Sequence, residues 1–288
     1  MSFRLAAITD EFSPDIETAS RAMRDAGLRG AELRMISGRN VVDFSDAELD
    51  HAVAIVRGHG LEIVSIASPL LKCVLPGGPD VEERWQRDVF AAPLTFADQP
   101  RVARRTLEIA KRAGAHLIRV FSYWRTVQPE AIFDRIAEAL GDLAADAWRH
   151  GLTICIENEH ACNIATGADA ARVLAAAANP NLKVVWDPAN ALVAGETPFP
   201  DGYRALAPQT IAHVHAKDCR IENGAPVWLP LGEGAVDWKA QLAALALDGY
   251  HGWISLETHW GGPGGDKLQA SAICARNLKR LIEESARS

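Results

Sequence analysis

Short apolar runs recur along the chain, separated by longer stretches in which apolar residues return every three or four positions. The runs are FRLAAIT (3–9), GAELRM (30–35), LEIVSIAS (61–68), HLIRVFS (116–122), LTICIE (152–157), LKVVWD (182–187), IAHVHA (211–216) and GWISLE (252–257). Their length and β-branched content predict buried strands. Between them, PDIETASRAMRDAG (14–27), SDAELDHAVAIVRGHG (45–60), PRVARRTLEIAKRAG (100–114), PEAIFDRIAEALGDLAADAWRHG (129–151) and GADAARVLAAAAN (167–179) predict helices. Ser13-Pro14 and Gln128-Pro129 place proline at a first turn, and Ser45 stands three residues before Glu48 as a capping box. Gly27, Gly60, Gly114 and Gly151 supply the stops.

Eight strands, each followed by a helix or a helix-compatible segment, predict an α/β fold with a parallel sheet closed into a (β/α)8 TIM barrel. An open doubly wound sheet is the competing arrangement. It usually has fewer strands and a glycine-rich turn after the first, where this chain carries ITDEFSPD. No Pro-, Gly- or Ser-rich linker divides the sequence, so residues 1–288 read as one domain. Two connections are long, 69–99 and 217–235. Both follow strands, on the face where barrels keep their sites, which makes them candidate lids or pocket walls.

Composition narrows the function classes. Acidic residues outnumber basic ones 37 to 30 for a formal net charge of −7, without the basic surplus expected of a nucleic-acid binder. RVARRTLEIAKR (101–112) is basic, but its charges fall at helical spacing and read as a solvated face. No basic leader or membrane-length apolar run is present, so no membrane association is expected. Five cysteines without a CxxC pair argue against a disulfide framework and fit a reducing cytoplasm. A homo-oligomer stays open, because helical periodicity does not separate packing on strands from packing on a neighbour.

CIENEHACN (155–163) shows where chemistry gathers: an apolar strand running into carboxylates, an amide and a histidine. A buried strand rarely ends this way without a partner for its charge. In a closed barrel, the last residues of different strands converge on one axis, which brings together Glu157, Asp187, His215 and Glu257. Three carboxylates and an imidazole form a hard, oxygen-rich set suited to one divalent ion, Mn2+, Mg2+, Co2+ or Zn2+. A cation also resolves the repulsion among the acids. Separate salt bridges or caps are the alternative for each acid taken alone.

The chain resembles the sugar phosphate isomerase/epimerase group of the xylose-isomerase-like TIM-barrel superfamily. The resemblance spans essentially the full length and rests on TDEFSPDIE, GAELR, CIENEH, WDPAN, HVHAKD, PLGEGAVDW and GYHGWISLE. It implies metal ligands at Glu157, Asp187, His215 and Glu257, the set reached from the strand ends. It also implies a small carbohydrate-like substrate. Asn190 stands where epimerases of this group often carry a substrate-contacting histidine, a departure from the ketose 3-epimerase pattern.

With such a substrate, a cation would act as Lewis acid, acidifying a C–H beside a carbonyl and stabilising an enediolate. Glu157 and Glu257, on strands five and eight, are the candidate general bases. One acid on each face suits epimerisation, and a single shuttling glutamate suits aldose–ketose isomerisation. Candidate substrate contacts are Asn190, Lys217, Arg220, His160, Glu11, Arg34 and Lys72. For Lys217 and Arg220, a rim salt bridge with Asp218 or Glu222 is the alternative. His213 reads as a packed barrel residue, and Gly232-Glu233-Gly234 as a tight turn without nucleotide chemistry. Three other activities stay open: dehydration, as in inosose dehydratases of this group; endonuclease IV-type hydrolysis; and sugar binding without turnover. The hydrolase would need further histidines where Ser68, Ser122 and Asn190 stand.

Overall fold

A computed structural model describes residues 3–85 and 93–286. Eight parallel strands close into a barrel: β1 (Arg4–Ile8), β2 (Gly30–Leu33), β3 (Glu62–Ala67), β4 (Leu117–Val120), β5 (Thr153–Glu157), β6 (Leu182–Trp186), β7 (Ile211–Ala216) and β8 (Trp253–Leu256). Each pairs with its sequence neighbours and β8 returns to β1, with Ala6 opposite Ser255 and Ala7 opposite Leu256. Every apolar run of the sequence thus supplies one stave of a (β/α)8 barrel, and the open sheet is excluded.

The helices following the strands are α1 (Ile16–Asp25), α2 (Asp46–Gly58), α3 (Gln99–Ala113), α4 (Phe133–Arg149), α5 (Gly167–Ala177), α6 (Pro188–Val193), α7 (Trp238–Leu247) and α8 (Lys267–Ser285). The Ser45–Glu48 capping box opens α2. Gly27, Gly60, Gly114 and Gly151 all adopt positive φ after helices, a conformation open to glycine at little cost. The start of α1 differs from expectation: Asp15, not the Ser13-Pro14 pair, caps it by accepting from Thr18 N at 2.8 Å. Pro129 opens a short 3-10 segment (Pro129–Ile132) that leads into α4.

Alternation divides the core into two zones. Outward residues such as Ile154 and Ile156 of β5 pack under the helices, while Ala6, Val64 and Trp253 form a small separate cluster inside the barrel. Gly30 is required beside that plug, since a Cβ there would approach Trp253 and Ala6 to 2.8 Å. Polar side chains fill the barrel above the plug.

Two short antiparallel ribbons decorate the strands' C-terminal side, Met35–Ile36 with Arg39–Asn40 and Asp218–Glu222 with Ala225–Leu229. The second occupies the long connection after β7. The connection after β3 contributes Pro69, Lys72 and Arg84 to the cavity described below, while residues 86–92 of it lie outside the described residues. The basic face of α3 is laced to α2: Arg105 reaches Asp46 at 2.8 Å and Arg112 reaches Asp50 at 2.6 Å. All five cysteines are buried, unpaired thiols. Among the described residues no helix is long and apolar enough to cross a membrane.

Candidate metal centre

Glu157, Asp187, His215 and Glu257 each present a ligand atom, all within 4.8 Å of one another and all buried. Their backbone positions follow from the barrel. Glu157 ends β5 and Glu257 follows β8 directly, while His215 lies opposite Ser255 in the β7–β8 pairing. Asp187 leaves β6 as the N-cap of α6, its Oδ1 accepting from Asn190 N at 2.9 Å. Asn158 fixes this acid from the next strand: its Nδ2 donates to Asp187 O and its Oδ1 accepts from Asp187 N, both at 2.8 Å. The amide inside CIENEH therefore ties the ends of β5 and β6 together.

The second coordination of these acids explains their tolerance of burial. Burial pushes Glu157 up, but His215 and Arg119 outweigh it and hold the carboxyl at about 2. Arg119 of β4 donates Nη1 to Glu157 Oε2 at 2.7 Å, and His215 Nδ1 lies 3.0 Å from Glu157 Oε1. Burial opposes ionisation of Glu257 as well, yet Lys217 and His215 bring its carboxyl well below the usual range. Arg34 donates to Glu257 Oε1 at 3.0 Å. Asp187 is the exception. Burial dominates, the neighbouring acids add to it, and the carboxyl is raised despite Lys217. Its Oδ2 accepts no hydrogen bond and faces the Lys217 ammonium at 2.7 Å. Three converging acids, one of them disfavoured as an anion, with an imidazole beside them, fit a divalent cation.

Glu257 of this set also lines a cavity of about 240 Å³. Arg34, Lys72, Arg119 and His160 line it, with Trp228 from the β7 ribbon and His259 after β8. Trp228 and His259 meet edge to face at 4.5 Å. Lys72 Nζ lies 4.4 Å from the Phe121 ring.

Each sequence candidate takes a definite place. Asn190 joins three neighbours, with Nδ2 3.3 Å from Glu157 Oε1 and 3.4 Å from Glu159 Oε2, and Oδ1 2.8 Å from His160 Nδ1. Lys217 is buried between Asp187 and Glu257, 2.5 Å from Glu257 Oε2, so the rim salt bridge with Asp218 or Glu222 does not form. Glu11 is buried behind Arg34, which donates to it at 2.6 Å, and supports the wall from outside the cavity. Arg220 does not reach the site. It is exposed and paired with Glu222 at 2.5 Å, because the ribbon is buried only at Asp218 and Cys219 and is exposed on both faces from Arg220 to Glu222. Asp218 instead accepts four backbone N–H groups, from Cys219, Gly232, Gly234 and Val236, so the Gly232–Gly234 turn wraps a carboxylate. Trp186 is core, donating to Gln241 at 2.8 Å. Ser68 and Ser122 use their hydroxyls on backbone groups, Arg119 O and Ile164 N.

Besides Trp228 and His259 on the cavity, two charged participants were not singled out from sequence. Arg119 is a lone charge in the apolar run HLIRVFS, and Glu32 lies in GAELRM. A charge inside a predicted buried strand is the signal that marks both. Glu32 Oε1 contacts His213 Nε2 at 2.9 Å and His215 Nε2 at 3.2 Å, so His213 is packed in the barrel, as expected, and also belongs to a polar layer under the centre.

A sequence-family profile described as xylose isomerase-like TIM barrel matches residues 20–281. The chain belongs to that family. Solved structures extend the likeness. A zinc-bound IolI protein is 17% identical, with 98% of this chain and 99% of that chain covered and a TM-score of 0.73. The apo 3-keto-D-glucoside 4-epimerase YcjR from E. coli is 18% identical, with 96% and 100% covered and a TM-score of 0.68. The probable 3-DHS dehydratase AsbF from Bacillus anthracis is 17% identical, with 96% and 98% covered and a TM-score of 0.67. No curated protein matches in sequence. At these identities the structural neighbours establish the fold.

Proposed function

We propose that this family member is a divalent-metal-dependent isomerase or epimerase that moves a proton on a small sugar, polyol-ketone or hydroxy-keto substrate. The observation carrying the proposal is the buried quartet Glu157, Asp187, His215 and Glu257, of which Glu257 also lines the cavity. These four residues would hold the ion, which when bound supplies Lewis-acid polarisation of a carbonyl.

The remaining chemistry belongs to the side chains. Glu157 and Glu257 are ionised and enter from β5 and β8, so each can take a proton from a substrate carbon and return one. Arg119 and Arg34 each hold one oxygen of these acids, which fixes the carboxylate planes. The Lys217 ammonium stays charged, since Asp187 and Glu257 outweigh its burial, and can donate to a substrate oxygen that gains negative charge. His160, oriented by Asn190, offers a hydrogen bond to a hydroxyl, while Trp228 and His259 line the same cavity and restrict water.

Lys217 also favours a second reading. An ammonium beside the acids can protonate a departing hydroxyl, which would make the enzyme a dehydratase. The test is elemental analysis of the purified protein, of Glu157→Gln and of His215→Ala, followed by mass analysis of products from a sugar and hydroxy-keto acid screen. One divalent ion per chain, lost in the variants, is expected. A product of unchanged mass identifies the isomerase or epimerase, and loss of one water identifies the dehydratase. Folded protein that takes up no Mn2+ or Zn2+ overturns both.

A further inference from the structure

The layer beneath the quartet has a chemistry of its own. Glu32 is fully buried in β2, just past a register shift between Ala31 and Glu32 in the β2–β3 pairing. One of its oxygens, Oε1, meets the Nε2 atoms of both His213 and His215, at 2.9 and 3.2 Å. The two imidazoles stand edge to face with centroids 5.4 Å apart. An ionised carboxylate only accepts hydrogen bonds, and an imidazole nitrogen without a proton presents a lone pair. At these distances a bare Nε2 would oppose a carboxylate oxygen, so both rings must carry a proton on Nε2. The Nδ1 of His215 faces the centre instead, 3.0 Å from Glu157 Oε1 and 3.5 Å from Glu257 Oε2; by the same argument it carries a proton toward these acids in metal-free protein, and that is the proton an ion held there would replace.

We infer that Glu32 is a positioning residue for the metal centre: it holds the Nε2 proton of His215, fixes the ring, and thereby assigns Nδ1 as the ligand atom. This rests on the quartet being the metal site. Carboxylates that hold the far nitrogen of a ligating histidine generally raise its basicity and lock its tautomer, and their loss costs about 10–100-fold in metal affinity. His213 shares the same oxygen and keeps Glu32 oriented. Glu32 Oε2 and His213 Nδ1 make no hydrogen bond, so the restraint on Glu32 converges on a single oxygen.

The test uses Zn2+ as probe on the full chain. Zinc affinity is measured by competition with a chromophoric chelator for the unaltered protein, Glu157→Gln and Glu32→Gln. Ring nitrogen NMR of the zinc-loaded unaltered protein reports the His215 tautomer. A roughly 10–100-fold loss of affinity in Glu32→Gln is expected, together with zinc on Nδ1 and a proton on Nε2. Zinc on Nε2 overturns the inference without any variant, so it stays decidable if Glu32→Gln fails to fold. If Glu157→Gln loses zinc while Glu32→Gln binds within twofold of the unaltered protein, the positioning role falls and the metal site stands. If the unaltered protein binds no zinc, the functional proposal falls and takes this inference with it.

Discussion

Arg119 on β4 donates Nη1 to Glu157 Oε2 at 2.7 Å, with both side chains almost wholly inside the barrel. Together with His215, 3.0 Å from the other oxygen, the pair explains how a carboxylate ends a buried strand while remaining ionised. Removing one partner strands the other charge, and breaking such a pair costs roughly 3–5 kcal/mol. Arg119→Met is therefore expected to lower the unfolding free energy of metal-free protein by about that amount in denaturant titration. A loss below about 1 kcal/mol would show that Glu157 does not depend on this cation.

Glu157→Gln and Glu257→Gln keep nearly the same shape but cannot accept a proton. Loss of a general base typically costs about 10²–10⁴ in rate. Both variants are expected to lose turnover on the true substrate by at least that range while retaining the circular dichroism spectrum. Full activity in both would remove these acids from the mechanism.

Lys217 places its ammonium between Asp187 and Glu257. In metal-free protein it is the cation that bridges these two acids; in Lys217→Met, Arg34 still pairs with Glu257, but Asp187 loses its ammonium and repulsion between the acids rises. The melting temperature of metal-free protein is expected to fall, and added Mn2+ or Zn2+ to recover more of it than in the unaltered protein. Equal metal-induced shifts in the two proteins would argue that Lys217 does not share charge with the centre.

Alkali is expected to weaken the fold. Burial, and then Asp98, pushes the Cys73 thiol from its ordinary 9.0 up to about 12; burial, followed by Asp218, does the same for Cys219. Burial, with Cys73 beside it, takes Tyr123 from 10.0 to about 12. Between pH 9 and 12 the unfolded chain therefore holds fewer protons than the folded one, so stability is intact below pH 9 and falls as pH rises through this window. Melting temperatures from pH 8 to 11 check this, and a flat profile would refute it. At pH 8 the native thiols should stay inert to a disulfide reagent until the chain is unfolded.

The carboxylate of Asp218 organises the turn before α7. Oδ2 accepts from Gly232 N at 2.9 Å and Gly234 N at 3.1 Å, and a Cβ on Gly234 would fall 2.1 Å from Oδ1. Asp218→Asn removes the anion that these donors share, and should cost about 1–3 kcal/mol in denaturant unfolding. Gly234→Ala should destabilise through the clash. An unchanged midpoint in both variants would show that the turn does not need this nest.

The barrel was legible because each strand is a local event. LTICIE or IAHVHA announces a buried strand from six residues alone, and a register of eight such runs leaves little but closure. The quartet was legible for a related reason: residues at strand ends share the barrel axis whatever their separation in sequence. Direction was harder. Two residues past Asp218 the ribbon has left the barrel and both its faces meet solvent, so Arg220 is exposed, while Lys217, one residue before Asp218, is buried against Glu257. Both had the same local description, a cation after His215.

The sequence by itself determined the strand count, the helix stops at Gly27, Gly60, Gly114 and Gly151, and the three acids and one imidazole that converge. Those depend on backbone conformation and residue type, which neighbours in the chain specify. Only the tertiary structure decided which cation serves which acid: Arg119 with Glu157, Arg34 and Lys217 with Glu257, and Glu32 under both histidines. These partners lie 38 to 223 residues apart, and their pairing is set by side-chain reach inside a closed barrel, where a charge must find its counterpart because water is excluded.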